Sequence, residues 1–309
     1  MGHLDQIERL YINLGSWPVP TSPPSAADPS RLCNGQSSYC SRKYTEIAFI
    51  GAHDSPFVGI LPTQNQGLEV TEQLDKGVRY LQGQTQTDGG TLNLCHTACA
   101  LEDAGPIEDY LHTVKAFLEG NPGEVVTLLF VNGDRTPIEE WKAAFEETGI
   151  HEYAYAPEKK PLPMGEWPTL GEMIDMGKRL VVFLDTGADQ SKVPYLIDEF
   201  SHYFETPFGV TDPSFPDCSL DRPKSDRPSE TASSRMYIVN HFLNVELLPG
   251  LKVPDRMKAP QTNAAEGNGG VLKQVGICQT NWERRPNVVL LDYVEFADVK
   301  ELERILNRP

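Results

Sequence analysis

The chain has 309 residues, 39% of them hydrophobic, which suits one large core and lies within the usual length of a single α/β barrel. Its 27 basic and 44 acidic residues give a net charge of −17, which would repel nucleic-acid phosphates and anionic lipid headgroups. No run of about 18 apolar residues is present to span a membrane. We therefore expect no nucleic-acid partner and no transmembrane segment.

The chain begins with a stretch that predicts an irregular arm over residues 1–43. Residues 14–44 are rich in Pro, Ser and Gly and too poor in apolar residues for a core. The first twenty residues also lack the apolar core of a signal peptide. From residue 44 to residue 309, β-like and helical patterns alternate, which predicts a single domain.

Apolar runs without interruption predict strands that are covered on both faces, at 48–50, 80–84, 92–96, 125–131, 180–184, 236–239 and 288–294. Helical patterns lie between them, at 106–119, 137–148, 169–176, 193–200 and 299–306. This alternation predicts an α/β fold, a parallel TIM-type (β/α) barrel whose active site lies at the carboxyl ends of the strands. The Pro-, Ser- and Gly-rich stretches 210–235 and 254–275 predict long loops over the barrel mouth.

Two histidines close predicted strands and carry the strongest functional signal. His53 ends one apolar run and His96 another, so a barrel would bring both imidazoles to one end. Asp292 closes the last predicted strand, which returns beside the first, and it is therefore placed to hold His53. Asp54 follows His53 directly, so on a strand the two side chains diverge, and we expect Asp54 to orient His96 instead. A lone histidine at a strand end is usually structural, but two with matched carboxylates predict a general base and a general acid.

Gln82 and Gln84 share one face of the strand at 80–84, and the spacing indicates that this face looks into the barrel. Neutral amides are poor ligands for Mg²⁺ or Ca²⁺, so we expect neither a metal nor a cofactor. The two amides could contact substrate, or could bond each other and nearby backbone, and the sequence leaves both open.

Four further polar residues close other predicted strands and are candidate substrate contacts: Asn132, Asp185, Asn240 and His241. Each stands alone and carries a weak signal, and we expect at least one of them to be structural.

The six cysteines fall into groups that predict three disulfides: Cys33 with Cys40, Cys95 with Cys99, and Cys218 with Cys278. Disulfides imply an oxidising compartment, so we expect a secreted protein whose signal peptide is absent from this sequence. Six reduced thiols are the alternative. A zinc site at Cys95, His96 and Cys99 is disfavoured, because neighbouring strand residues point to opposite faces and no fourth ligand is evident.

Several of these stretches resemble the X domain of phosphatidylinositol-specific phospholipase C, and more closely the secreted fungal phospholipase-C-like phosphodiesterases. They are GAHDS (51–55), GVRYLQGQTQ (77–86), LCHTAC (94–99), NPGEVVTLLFVN (121–132), VNHFL (239–243) and LLDYV (290–294). The resemblance implies that His53 is the general base, with Asp292 as its partner. It likewise implies that His96 is the general acid, partnered by Asp54.

The resemblance is incomplete at two positions. Metal-independent bacterial members place an arginine where this chain has Gln84, and calcium-dependent members place acidic ligands at Gln82 and Gln84. Charge developing on a five-coordinate phosphorus needs a cation or several preorganised donors. The candidate replacements are Arg79, Asn132 and Lys43.

We therefore expect a monomeric, metal-independent phosphoric diester lyase or hydrolase that cleaves a phosphodiester with a neighbouring hydroxyl, using two histidines. Its partner would be a small-molecule or lipid-headgroup substrate. The alternatives are a relative that acts on a non-phosphate substrate and a secreted ligand-binding protein.

Overall fold

The computed structural model describes residues 30–308, so the predicted features of residues 1–29 lie outside the described part. The strands are β1 Phe49–Ala52, β2 Tyr80–Asp88, β3 Thr91–Cys95, β4 Asp103–Pro106, β5 Val126–Asn132, β6 Leu180–Leu184, β7 Leu196–Asp198, β8 Tyr203–Glu205, β9 Met236–Asn240, β10 Asn244–Leu248, β11 Leu251–Pro254 and β12 Val288–Leu291. The helices are α1 Val70–Lys76, α2 Ile107–Gly120, α3 Ile138–Glu147, α4 Leu170–Asp175, α5 Pro228–Ser233, α6 Ala259–Thr262, α7 Val271–Trp282 and α8 Val299–Leu306.

The centre of the fold is a curled sheet of eight parallel strands in the order β7-β6-β5-β2-β1-β12-β9-β8. β1 pairs with β2 on one side and with β12 on the other, so strands from the two ends of the domain are neighbours. Within residues 30–308 the path of the sheet ends at β7 and β8, which leaves an open seam between them. The predicted TIM-type barrel is confirmed, in an incompletely closed form.

Alternate strand residues face two apolar layers, as the uninterrupted apolar runs predict. In β5, Leu129 packs inside the barrel with Phe183 and Tyr203, whereas Leu128 and its alternate neighbours pack outward against the helices. The Tyr44 hydroxyl bonds the hydroxyls of Thr127 at 2.8 Å and Tyr203 at 3.2 Å, which joins β5 to β8 across the interior. Side chains thus close the amino-terminal end of the barrel.

The predicted helices at 106–119, 137–148, 169–176 and 299–306 are confirmed within one or two residues as α2, α3, α4 and α8. The helix predicted at 193–200 is wrong, because this segment forms β7 and a 3₁₀ turn at Glu199–Ser201. Leu196 and Ile197 pair with β6 and are fully buried, so tertiary pairing overrides the local pattern. Among residues 30–308, no helix has the length and apolar character needed to cross a bilayer.

The strand predicted at 92–96 exists as β3, but it is not a barrel strand. It pairs antiparallel with the extended end of β2 and with β4, so it forms a hairpin arm above the barrel. The chain therefore reaches His96 by folding back on β2 rather than by rising through the barrel wall. This hairpin is the main departure from the predicted strand order.

The described part of the arm, residues 30–43, packs on the amino-terminal end of the barrel. Cys33 and Cys40 form a disulfide, and Asn34 exchanges two hydrogen bonds with the Val125 backbone, at 3.0 and 2.7 Å. At the other end, the predicted loops 210–235 and 254–275 contain α5, α6 and the start of α7, and a hairpin of β10 and β11 that was not predicted lies between them.

Candidate active site

His53 follows the end of β1 and is held from two sides. Its backbone N–H donates to the Leu291 carbonyl of β12 at 2.9 Å, which places it beside the next residue, Asp292. The ring Nδ1 lies 2.8 Å from Asp292 Oδ1, so a proton on Nδ1 is donated to that carboxylate and Nε2 is left free to accept one. The Asn65 amide donates to the same carboxylate oxygen at 2.9 Å. The sequence gives no signal for Asn65.

Asp54 does not diverge from His53 as an extended strand would require. Its backbone is left-handed, with a φ of +46°, and this turn brings Oδ2 within 3.4 Å of Nε2 of His53. The same oxygen lies 3.4 Å from Nε2 of His96. The expected contact with His96 is present, but the expectation that Asp54 avoids His53 is wrong, because the strand has already ended at Ala52. One fully buried carboxylate therefore faces both imidazoles.

His96 is oriented by backbone groups of the loop after β1 rather than by a second carboxylate of its own. Its Nδ1 lies 2.6 Å from the Thr63 carbonyl, so this nitrogen carries a proton and Nε2 points towards Asp54. The Phe57 ring stacks on the His96 imidazole with a centroid separation of 5.1 Å. Phe242 stacks on His53 at 3.6 Å. Both rings fix an imidazole plane, and neither was predicted.

The two glutamines bond the catalytic candidates rather than each other. Gln82 Oε1 accepts from the backbone N–H of Asp54 at 2.7 Å, and Gln84 Nε2 donates to Asp54 Oδ2 at 2.9 Å. Gln84 Oε1 in turn accepts from the backbone N–H of Thr97 at 3.3 Å. The sequence left open whether the amides contact substrate or bond each other and nearby backbone. The observed bonds are to nearby backbone and to the Asp54 carboxylate, so the amides hold Asp54 and the loop of His96 in place.

The two carboxylates beside His53, those of Asp54 and Asp292, favour a proton on its imidazole. Burial lowers the pKa of His53, but the Asp54 and Asp292 carboxylates more than offset it and raise the pKa above the ordinary value of 6.5. Burial raises the pKa of Asp292, and His53 opposes that rise. The side chains of His53 and His96 are still 16% and 17% exposed, so a substrate can reach them from the barrel mouth.

The remaining predicted contacts divide into two groups. Asn132 exchanges hydrogen bonds with the Thr136 backbone at 2.8 and 3.1 Å, and Asp185 accepts from the Asn132 backbone at 2.9 Å. His241 is fully buried and its Nδ1 and Nε2 are bonded to Gln274 and to a backbone carbonyl, so it has no ring nitrogen to offer a ligand. The geometry therefore favours structural roles for Asn132 and His241, and Asp185 stays a candidate substrate contact.

Asn240 belongs to a polar cluster that the sequence did not reveal. Its amide donates to Glu205 Oε2 at 3.1 Å, and Arg222 Nε donates to the same oxygen at 3.0 Å. Burial and the Glu205 carboxylate raise the pKa of Glu199 well above its ordinary value. Burial raises the pKa of Asp185, and Arg222 opposes the rise. Glu205 ends β8 and no motif marks it, so only the fold brings these groups together.

The cations considered as replacements lie at the wrong end of the barrel. Arg79 precedes β2 and pairs with Glu124 at 2.7 Å, and Lys43 precedes β1 and donates to the Gly165 carbonyl. Both residues stand before the first residues of their strands, opposite the two histidines. Asn132 is bonded within its own loop, as described above. None of the three supplies the charge that an arginine at position 84 would supply.

The structure contains the three expected disulfides, Cys33–Cys40, Cys95–Cys99 and Cys218–Cys278. The Cys95–Cys99 bond removes both thiols from the zinc site considered above. Within residues 30–308, no group of three or more His, Cys, Asp and Glu side chains is arranged to hold a metal ion.

Comparison with known proteins identifies the family. The PI-PLC X family model, described as PI-PLC X 1, matches residues 39–307. The chain belongs to the PI-PLC X family. It is 50% identical over 303 residues to PI-PLC X domain-containing protein 1 of Arthroderma benhamiae, covering 97% of each chain. It is 40% identical over 275 residues to an uncharacterized secreted protein of the same fungus, covering 87% of this chain and 62% of the relative.

Solved structures agree with the fold of this PI-PLC X protein. The phosphatidylinositol-specific phospholipase C of Listeria monocytogenes superposes with a TM-score of 0.60 at 13% identity, covering 87% of this chain and 95% of the other. A mutant of the corresponding Staphylococcus aureus enzyme superposes with a TM-score of 0.54 at 14% identity, covering 87% and 93%. At such identities the similarity establishes the fold alone, and function has to be argued from the site.

Proposed function

We propose that the protein is a secreted, metal-independent phosphodiesterase of the phosphorus–oxygen lyase type. The observation that carries this proposal is the pair of imidazoles whose Nε2 atoms both face Asp54, with Nδ1 of His53 fixed on Asp292 and Nδ1 of His96 fixed on a backbone carbonyl. Fixed Nδ1 protons direct both reactive nitrogens into one space, as a base and an acid that act on one substrate require. The three disulfides and the secreted relative support the location.

In the proposed reaction, Nε2 of His53 takes the proton of a hydroxyl adjacent to the phosphodiester. The freed oxygen forms a bond to phosphorus, and the bond from phosphorus to the leaving oxygen breaks. Nε2 of His96 gives its proton to that oxygen, so the products are a cyclic phosphodiester and an alcohol. The polar cluster would bind the hydroxyl-rich part of the substrate, which is a small molecule or a lipid headgroup. Its residues here are Asn240, Glu205, Arg222 and Asp185.

One observation favours a second candidate, a ligand-binding protein without turnover. The amide of Gln84 occupies the position beside Asp54 where a cation would stabilise charge on phosphorus, and its two ends are already bonded. A pocket of this kind can hold a neutral or weakly charged ligand without cleaving it. Activity measurements have to separate the two candidates.

The deciding experiment is ³¹P NMR of the protein with phosphatidylinositol and with a soluble inositol phosphodiester, in chelator. We expect a cyclic phosphate signal that disappears in His53→Ala and in His96→Ala. The matched control is His112→Ala, since His112 is exposed on α2 and remote from the site. No turnover by the wild-type protein, in chelator or with added Ca²⁺, would support the binding function instead.

A further inference from the structure

A cavity of about 570 Å³ lies at the amino-terminal end of the barrel, opposite the two histidines. Its walls come from the residues before β1, the residues before β12 and the end of α8. We call it the basal cavity. The charged side chains that line it are Arg42, Lys43, Arg284, Arg285, Glu46 and Glu283. The Arg284 guanidinium is held by the Ala232 and Arg235 carbonyls and lies over the Tyr237 ring, so it does not contribute its charged end. Three cations against two carboxylates still make the cavity locally positive, in a chain whose net charge is −17.

The cations of the basal cavity are anchored by neutral groups. Arg42 Nη1 donates to the Asn307 carbonyl at 3.0 Å, and Arg285 Nη1 donates to the Leu306 carbonyl at 2.7 Å. Lys43 Nζ donates to the Gly165 carbonyl. None of the four lining cations takes part in the ion pairs formed between residues 30 and 308. A carbonyl fixes the direction of a cation without cancelling its charge, so the cavity keeps its positive potential.

Arg42 and Arg285 are close enough to repel each other. Burial lowers the pKa of Arg42, and Arg285 lowers it further, against opposing effects of Tyr39 and Glu46. Two neighbouring guanidinium groups repel each other, and a bound anion would offset the free energy that this repulsion costs. The walls are also fixed, since Asn307 exchanges hydrogen bonds of 2.9 and 2.8 Å with the Ala48 backbone. A preformed positive cavity loses little free energy to ordering when a ligand binds.

We propose that the basal cavity binds a multivalent oxyanion of the phosphate type, either inorganic or carried by a phosphorylated small molecule. Guanidinium groups match pairs of phosphate oxygens, and charge-assisted hydrogen bonds of this kind are stronger than neutral ones. The volume lies within the range of small-molecule sites and exceeds what a single phosphate needs. This site is separate from the proposed catalytic site, at the other end of the barrel.

Isothermal titration calorimetry of the full chain tests the proposal, at a fixed ionic strength of about 0.1 M because salt screens exposed charges. The probes are inorganic phosphate, pyrophosphate and glucose 6-phosphate. We expect one equivalent to bind, and Arg285→Gln and Lys43→Gln each to weaken binding by about tenfold. The matched control is Arg304→Gln, since Arg304 is exposed on α8, pairs with Glu301 and does not line the cavity. Tighter binding of glucose 6-phosphate than of inorganic phosphate identifies an organic phosphate as the ligand.

His53→Ala separates this site from the catalytic one, and it is expected to bind the probes as the wild-type protein does. The proposal is overturned if binding is lost in His53→Ala, if it is unchanged in both cavity variants, or if the wild-type protein does not bind the probes. Thermal unfolding of each variant checks that it is folded. Because Lys43 contacts only a carbonyl with its charged end, Lys43→Gln tests the cavity even where Arg285→Gln disturbs the end of α8.

Discussion

Asp54 is held in a backbone conformation that aspartate adopts only occasionally. Its φ of +46° belongs to the left-handed region, and its side chain is fully buried with Oδ1 unpartnered among the described residues. The contacts that hold it there are the hydrogen bonds from its backbone to Gln82 and from Gln84 to its carboxylate. Strain and an unsatisfied buried oxygen in one residue support the role proposed for Asp54.

The pH dependence of turnover tests the role of Asp292. Because Asp54 and Asp292 raise the pKa of His53 despite its burial, and because the proposed base must be unprotonated, the acid limb of kcat/KM should lie above pH 6.5. Asp292→Asn removes one of the carboxylates that stabilise the imidazolium, so the limb should move to lower pH. It also replaces the carboxylate by an amide, whose NH₂ group can donate to Nδ1 and favour the wrong tautomer of His53, so kcat should fall by about 10³-fold.

The measurement is the pH profile of kcat/KM from pH 5 to 9 for both proteins. Asn65→Ala is the informative companion variant, because Asn65 contacts the same oxygen but carries no charge. It should lower kcat with a smaller displacement of the acid limb. An acid limb that stays in place in Asp292→Asn would show that His53 is not the titrating base.

At the scale of elements, the hairpin of β2 and β3 explains how His96 reaches the site. A parallel strand would have risen through the wall of the barrel, whereas β3 turns back along β2 and its end lies over the mouth. A disulfide between Cys95 and Cys99 then closes a short loop that contains His96. Thr97, inside this loop, is left-handed with a φ of +64°. The loop is thereby held in a conformation that its sequence alone would rarely adopt.

Removal of this disulfide should affect catalysis more than stability. A loop of so few residues restricts the unfolded chain little, so the free energy of unfolding should change modestly. Small displacements of a catalytic group are costly, so Cys95→Ala/Cys99→Ala should lower kcat by about tenfold or more. Steady-state kinetics and urea unfolding of the same samples measure both effects.

The Cys33–Cys40 disulfide provides the matched control, because it lies at the other end of the barrel. Cys33→Ala/Cys40→Ala should leave kcat unchanged. Equal losses of activity in the two double variants would show that the Cys95–Cys99 bond has no special role in placing His96.

The elements that the sequence predicted well are those with buried apolar runs, such as β5, β6 and β12, and those with an amphipathic stripe, such as α2. β7 and β8 were missed because they have three residues each, too few to show a pattern. β3 was found, but its antiparallel pairing depends on the turn at Gly89 and Gly90, which have φ values of +57° and +87°. Short strands and pairing directions are set by tertiary contacts.

At the scale of the molecule, Glu303 couples stability to pH. It lies buried on α8, its Oε1 accepts from the Ile50 backbone at 2.9 Å, and burial raises its pKa to about 8. An unfolded chain releases this proton near pH 4.5, so between pH 4.5 and 8 the native state binds more protons than the unfolded state. As the pH rises through this window, the contribution of Glu303 to the free energy of unfolding should therefore fall by up to about 1.4 kcal/mol per pH unit.

Glu303→Gln keeps the acceptor for Ile50 and removes the titration, so it should flatten this slope. Urea unfolding between pH 5 and 9 measures it. Glu301→Gln is the control on the same helix, since Glu301 is half-exposed and its hydrogen bond with Arg304 lowers its pKa. Parallel stability curves for Glu303→Gln and the wild-type protein would contradict the assignment.

The sequence predicted the site residues that end barrel strands with a clear apolar pattern, and it missed residues on loops and on very short strands. His53 and Asp292 follow from the convergence of strand ends, and the hydrogen bond between them has the predicted partners. His96 was also named, but it reaches the site along the antiparallel hairpin of β2 and β3 rather than at the end of a barrel strand. Asn65, Phe242 and Glu205 gave no signal, because a loop, a stacked ring and a three-residue strand have no periodic pattern. Their positions depend on packing between segments that are distant in the chain, and their catalytic or binding roles stay predictions.

The position of β1 between β2 and β12 fixes the order in which the site can assemble. β2 can pair with β1 early, but Phe49 pairs with Val288 and Ala52 with Leu291, so β1 lacks its second neighbour until residues 288–291 have been synthesised. The partner of His53 arrives with that neighbour, because Asp292 is the next residue after β12. A nascent chain that has not yet released residues 288–292 therefore holds both imidazoles without the carboxylate that orients His53. The proposed chemistry should begin only after β12 has paired with β1.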